Sequence, residues 1–247
     1  MMQTIKLELE IKTYDFDGLK QEAIVAYPSK IPAPGVIFIH GHMGNAYNSL
    51  LAGRKLLDQG YAVFLPSMLS YGYSQGKPDY CGPKTIEALY KGIEIFFHDP
   101  NVDHDRIAIY GVSRGAMTVA QIITHNKYKF AASILEVGAY DFEKFYNDPK
   151  TPQEVKDKIK EETNGASNEE LQERSSIHNM KNIDAPVLIL HGDKDERVPV
   201  TQAQLLSEVL KQFHKPHELV ILENAGHRLA RKGRYEHVFL FLKKHLT

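Results

Sequence analysis

Short, uninterrupted apolar runs separated by helix-length stretches constrain this 247-residue chain more than any other feature. Val36 to Ile39, Tyr61 to Leu65, Arg106 to Tyr110, Ala131 to Val137, Pro186 to Leu190 and Glu218 to Leu222 each read as a strand. A strand with one face in water alternates apolar and polar residues, and these runs do not, so both of their faces must be covered. Between them lie helical patterns at Tyr47 to Gln59, closed by Gly60, and at Pro83 to Phe97, Ser113 to Asn126, Gln202 to Gln212 and Arg234 to His245. A parallel sheet clothed by helices satisfies both observations, so the expected class is α/β. Only the first strands, Ile5 to Ile11 and Glu22 to Tyr27 around a turn at Asp15 to Gly18, show rough alternation.

One segment breaks the rhythm. From about Tyr140 to Asn182 the chain is polar and rich in Lys and Glu, with helical pieces at Gln153 to Glu162 and Glu169 to Arg174. It is too long for an ordinary loop, and reads as a helical insertion in a single domain spanning 1–247. It is either a surface excursion or a partial lid over a site. The aromatic residues at its entry, Tyr140, Phe142, Phe145 and Tyr146, are as well suited to an acyl pocket as to packing.

Composition removes several function classes. With 30 basic and 31 acidic side chains the formal charge is -1, and no Lys/Arg block offers a face for nucleic acid or an anionic membrane. A single cysteine, Cys81, excludes an intramolecular disulfide framework and fits a reducing compartment. The opening MMQTIKLELEIK lacks the apolar core of a signal peptide, and no run approaches the roughly 20 residues that span a bilayer. A cytoplasmic protein acting on a small molecule is expected, and a homo-oligomer is compatible with the sequence.

The chemistry is carried by RIAIYGVSRGAMTVA, in which an apolar strand runs into Gly111-Val112-Ser113-Arg114-Gly115 and out into a helix. This is the G-x-S-x-G pattern of a nucleophile elbow, where glycines let a crowded strand-to-helix turn push a serine hydroxyl out at the carboxyl edge of the sheet. A free serine is a poor nucleophile and requires a histidine base oriented by an acid. VLILHGDKDERVP puts Asp195 after one buried strand, and ENAGHR puts His227 after the next. All three residues fall past strand carboxyl ends, the edge at which open α/β sheets bind ligands. An oxyanion hole then needs two N–H donors: the backbone of Arg114, and the early loop in VIFIHGHMGN, where His42 is the first choice and Met43 the reserve. In this role the His42 side chain is expected to be dispensable.

VIFIHGHMG, PDYCGP, DPNVDHDRIAIYGVSRGAM, RSSIHNMKNIDAPVLILHGDKDERVPVTQA and ENAGHR together resemble the prolyl oligopeptidase-like and dienelactone hydrolase-like group of α/β hydrolases, from about Pro34 to the last helix. The resemblance implies a mostly parallel sheet of about eight strands, a Ser113, Asp195, His227 triad and no cofactor. The family pattern H-G-x-x-D-x-x-V-P selects Asp195 over its neighbour Asp193. Two departures matter: the chain has no room for the oligopeptidases' propeller, and its elbow carries serine where dienelactone hydrolases carry cysteine.

His40 and His191, each before a glycine at a strand end, read as structural. A zinc site at His40 and His42 lacks a third ligand nearby, and a phosphate loop at Gly72 to Pro78 has the wrong spacing, so no metal is expected. The expected activity is that of a carboxylesterase hydrolysing small esters through an acyl-enzyme. A peptidase acting on short peptides or aminoacyl derivatives is the alternative, and a ligand-binding receptor with a vestigial triad is the rival from another class.

Overall fold

The computed structural model describes residues 9–229 and 231–247. Of the first expected strand, Ile5 to Glu8 lie outside the described residues; the remainder belongs to β1 (Leu9–Phe16), longer at its carboxyl end than expected. β1 pairs antiparallel with β2 (Leu19–Ala26) across a two-residue turn. Asp17 and Gly18 both sit at positive φ, +52° and +75°, which gives a two-residue hairpin the twist its strands need.

β3 (Ala33–Ile39), α1 (Leu50–Leu57), β4 (Ala62–Pro66), α2 (Pro83–Phe97), β5 (Val102–Val112), α3 (Arg114–Thr124) and β6 (Ala132–Glu136) follow. After the insertion come β7 (Val187–Gly192), α7 (Thr201–Gln212), β8 (His217–Leu222) and α8 (Arg231–Leu246). The eight strands form one sheet in the order β1-β2-β4-β3-β5-β6-β7-β8, parallel from β4 onward. The apolar runs are explained by burial on two faces. Ile37, Ile39, Ile107 and Ile109 face one core beneath α2, α3 and α7, while Val36, Phe38, Ala108 and Tyr110 face a second core beneath α1 and α8. Alternation along each strand is present in space and hidden in the sequence because both layers demand apolar side chains.

The first helix begins three residues later than its periodicity suggests. The Asn45 side chain accepts from the Asn48 N–H at 2.9 Å and holds the preceding segment as a turn, a local hydrogen bond that competes with helix. In α2 the pattern is followed to the residue, with Pro83 at the first helical position.

The order of the sheet places the site. From β3 the chain steps outward to β4 and returns to β5 on the other side of β3, so connections leave in opposite directions and open a crevice at the carboxyl ends of β3 and β5. The insertion, made of α4 (Phe142–Asn147), α5 (Gln153–Glu162), α6 (Asn168–Glu173) and a 3-10 segment at Ser176–Asn182, packs above this crevice. Its own small core contains Phe142, Phe145, Ile159 and Leu171 together with Tyr80 and Met117. Among the described residues, no helix is long and apolar enough to cross a membrane.

Candidate active site

The elbow is held in a backbone conformation that only its glycines allow. Ser113 sits at φ +54°, ψ −119°, a costly conformation for a residue with a side chain, and its N–H bonds the Glu136 carbonyl at 2.8 Å. A Cβ on Gly111 would lie 2.2 Å from the Gly115 carbonyl oxygen, and one on Gly115 would lie 2.2 Å from that of Ile39. Backbone meets backbone at both positions, which is why strand, turn and helix close so tightly. Gly41 brings the loop after β3 close to the elbow, less tightly, since a Cβ there would stand 3.3 Å from Cβ of Ser113.

Three loops from three strand ends bring Ser113, His227 and Asp195 together. Ser113 Oγ donates to His227 Nε2 at 2.9 Å, and His227 Nδ1–H points at the Asp195 carboxylate, 2.9 and 3.0 Å from its two oxygens. Only a carboxylate faces Nδ1, so the network puts the proton there and leaves Nε2 free to accept. The Asp195 side chain is fully buried. Burial alone would push its pKa up, but hydrogen bonds from His191 and His227 and from the Val198 N–H hold the carboxyl well below the usual range. Asp193 is exposed, and its backbone N–H bonds the Leu222 carbonyl.

Two residues support this arrangement without having been singled out for it. His191 Nε2 lies 2.9 Å from the Val198 carbonyl and 3.2 Å from Asp195 Oδ2, so the histidine read as structural braces the acid. Glu196 accepts the His227 backbone N–H at 3.1 Å and anchors the loop that carries the imidazole. Nothing in the sequence spacing distinguishes these roles from ordinary loop packing. His40 does what was expected of it: Nδ1 bonds the Gly41 carbonyl at 2.8 Å and Nε2 accepts the Met68 N–H at 2.9 Å. Burial lowers its pKa to about 4.

Arg114 and His42 both border the space beside Ser113. His42 and Met43 are the central residues of a turn closed by the Gly44 N–H and the Gly41 carbonyl at 3.0 Å, with Met43 at φ +59°.

A cavity of about 360 Å³ opens beside Ser113 and His227 under the insertion. Its apolar wall is Met43, Tyr80, Met117, Phe145, Val155 and Val198, and Glu154, Lys158 and Arg197 stand around it. Of the four aromatic residues suited equally to an acyl pocket or to packing, Phe145 alone lines this cavity. Tyr140 is buried in the main core, Phe142 is buried edge-on to Tyr80, and Tyr146 packs against the insertion's own core. Packing takes the other three rings, one in the main core and two at the insertion's small core. Among the described residues, no three His, Cys, Asp or Glu side chains are arranged to hold a metal ion.

Residues 55–247 match the model of the prolyl oligopeptidase family. The chain belongs to the prolyl oligopeptidase family of serine hydrolases. It is similar to the uncharacterized peptidase YuxL of Bacillus subtilis (strain 168), 28% identical over 93% of this chain and 37% of that protein. It superposes on a Pyrococcus horikoshii acylaminoacyl peptidase with a TM-score of 0.82 and 24% identity, over 97% of this chain and 42% of that one. A Pyrococcus furiosus esterase matches with a TM-score of 0.76 and 19% identity, over 98% of this chain and 92% of its own. At these identities the two solved structures show a shared α/β-hydrolase fold. This prolyl oligopeptidase family chain spans well under half the length of YuxL and of the acylaminoacyl peptidase.

Proposed function

We propose that the protein hydrolyses small carboxylic esters through an acyl-enzyme formed on Ser113. The observation that carries this reading is the hydrogen-bonded chain from Ser113 Oγ through His227 to buried Asp195, opening on a compact, largely apolar cavity. Ser113 Oγ attacks the ester carbonyl as its proton passes to His227 Nε2, and Asp195 stabilises the imidazolium that forms. The oxyanion is met by the Arg114 and His42 N–H groups, and collapse of the tetrahedral intermediate expels the alcohol, protonated by His227. Water, deprotonated by the same imidazole, then releases the acid. An apolar acyl group fits the cavity beneath Phe145 and Met117. The leaving group lies on the opposite side of Ser113, where a wider groove of about 1030 Å³ runs between α1 and α8.

Similarity to YuxL, described as a peptidase, favours cleavage of short peptides as a second reading. The chemistry is the same, but an amide leaves less readily and needs its nitrogen protonated and its chain held in attack geometry. Parallel assays with short-chain p-nitrophenyl esters and peptide anilides decide between them. The ester reading expects kcat/KM higher for the esters by at least ~10²-fold, about 2.7 kcal/mol in barrier. Equal or faster anilide cleavage favours the peptidase. Ser113→Ala is expected to abolish both activities, by a factor on the order of 10⁴ to 10⁶. A folded Ser113→Ala protein that keeps most of its activity, or a wild type that a fluorophosphonate does not label, sinks the hydrolase reading and leaves the receptor.

A further inference from the structure

An oxyanion hole works only if both of its donors aim at one point, and here they come from distant parts of the chain. Arg114 begins a buried helix and is fixed with it. His42 lies in an exposed turn whose other central residue, Met43, is 80% accessible. Something must hold that turn against the elbow.

A line of side chains does so. Glu162, the last residue of α5, takes a hydrogen bond from Arg114 Nη1 at 2.8 Å, and the same nitrogen reaches the Tyr71 hydroxyl at 2.6 Å. The Tyr71 hydroxyl lies 2.9 Å from His42 Nδ1. Arginine only donates, so Tyr71 Oη accepts from it and keeps its own proton to give; with His42 Nδ1 unprotonated, that proton goes to His42 Nδ1. That assignment requires a neutral His42, and partial desolvation together with the Arg114, Lys158 and Arg197 charges lowers its pKa to about 4. The guanidinium also lies 4.0 Å over the Tyr80 ring.

The ion pair at the head of this line is buried, with side-chain exposures of 5% for Arg114 and 2% for Glu162. Such a pair is weak evidence for stability, because desolvating both charges offsets their attraction. Its effect is to fix geometry. We infer that Tyr71, braced by the Arg114–Glu162 pair, is a positioning residue that locks the His42 turn to the elbow and so couples the helical insertion to the oxyanion hole. The His42 side chain, expected from sequence to be dispensable, is the handle by which the turn is held. This inference rests on the reading of Ser113 as nucleophile and of Arg114 and His42 as oxyanion donors.

Tyr71→Phe keeps the ring and removes the hydroxyl. In the full chain it is expected to lower kcat for p-nitrophenyl butyrate by about 10- to 50-fold with KM within threefold, because a loosened donor costs less than the 10² or more of a deleted one. Affinity for an alkyl boronic acid, whose tetrahedral adduct on Ser113 fills the oxyanion hole, should fall by the same factor, while a non-covalent product acid binds unchanged. Glu162→Gln should give the same pattern at about 3- to 10-fold, and the melting temperature separates either effect from loss of fold. With wild type labelled by a fluorophosphonate, the relay is refuted if both variants stay within twofold of it in kcat and boronate affinity, or if they lose boronate and product affinity equally. A wild type that is not labelled overturns the nucleophile assignment itself.

Discussion

Replacing Asp195 by Asn tests the triad where its geometry is most demanding. The side chain accepts the Arg197 and Val198 N–H groups on Oδ1 at 2.9 Å each, and the remaining oxygen faces His227 Nδ1 at 2.9 Å and His191 Nε2 at 3.2 Å. Every neighbour is therefore a donor. The Asn carbonyl can keep the two backbone partners, which puts its NH₂ group against two imidazole N–H groups. His191 can retain Val198 as its acceptor. His227 has no such option, and relieves the clash by moving its proton to Nε2, where it points at Ser113 and can no longer take the serine's proton. The fold survives and the base is lost. The expected fall in kcat is on the order of 10³ to 10⁴, or roughly 4 to 5.5 kcal/mol of barrier. Asp193→Asn, at an exposed position, should cost less than about tenfold. Initial rates on p-nitrophenyl butyrate, with circular dichroism to confirm folding, give both numbers. Activity within tenfold of wild type for Asp195→Asn, or the larger loss for Asp193→Asn, would refute the tautomer argument.

Three further outcomes follow from particular contacts. His40 takes up a proton near 6.5 in the unfolded chain but only near 4 in the native one, so stability is intact above 6.5 and declines as pH falls toward 4. His40 alone contributes a loss of about 2 kcal/mol between pH 7 and pH 5, and urea unfolding of His40→Gln should lack that part of the slope; an unchanged slope counts against the burial argument. Gly115→Ala drives a methyl into the Ile39 and His40 carbonyls, at 2.2 and 2.6 Å, and should leave the protein insoluble or destabilised by more than about 3 kcal/mol. A melting temperature within a few degrees of wild type would contradict it. Phe145→Leu enlarges the cavity and should raise the hexanoate-to-acetate ratio of kcat/KM by at least about threefold, whereas Tyr146→Leu should not; equal effects would mean the acyl group binds elsewhere.

Much of this architecture was legible in the amino-acid order because it depends on local rules. Runs such as Val36 to Ile39 announce a doubly covered strand wherever they occur. Pro83 marks a helix start, and Gly111 and Gly115 around Ser113 mark a turn that few other residues tolerate. Chain order then placed Asp195 and His227 after the right strands, and the structure brings both to Ser113. Tertiary structure alone decided which aromatic residue reaches the cavity: Phe142 and Phe145 are both fully buried in one cluster, yet Phe142 packs edge-on to Tyr80 while Phe145 lines the cavity. It alone joined Glu162, Arg114, Tyr71 and His42 into one line, and set His191 behind Asp195. Periodicity and turn chemistry act between residues a few positions apart and leave a trace in the string. A side-chain hydrogen bond between distant segments is chosen by angles and distances within a few tenths of an ångström, which exist only once the sheet has brought those segments together.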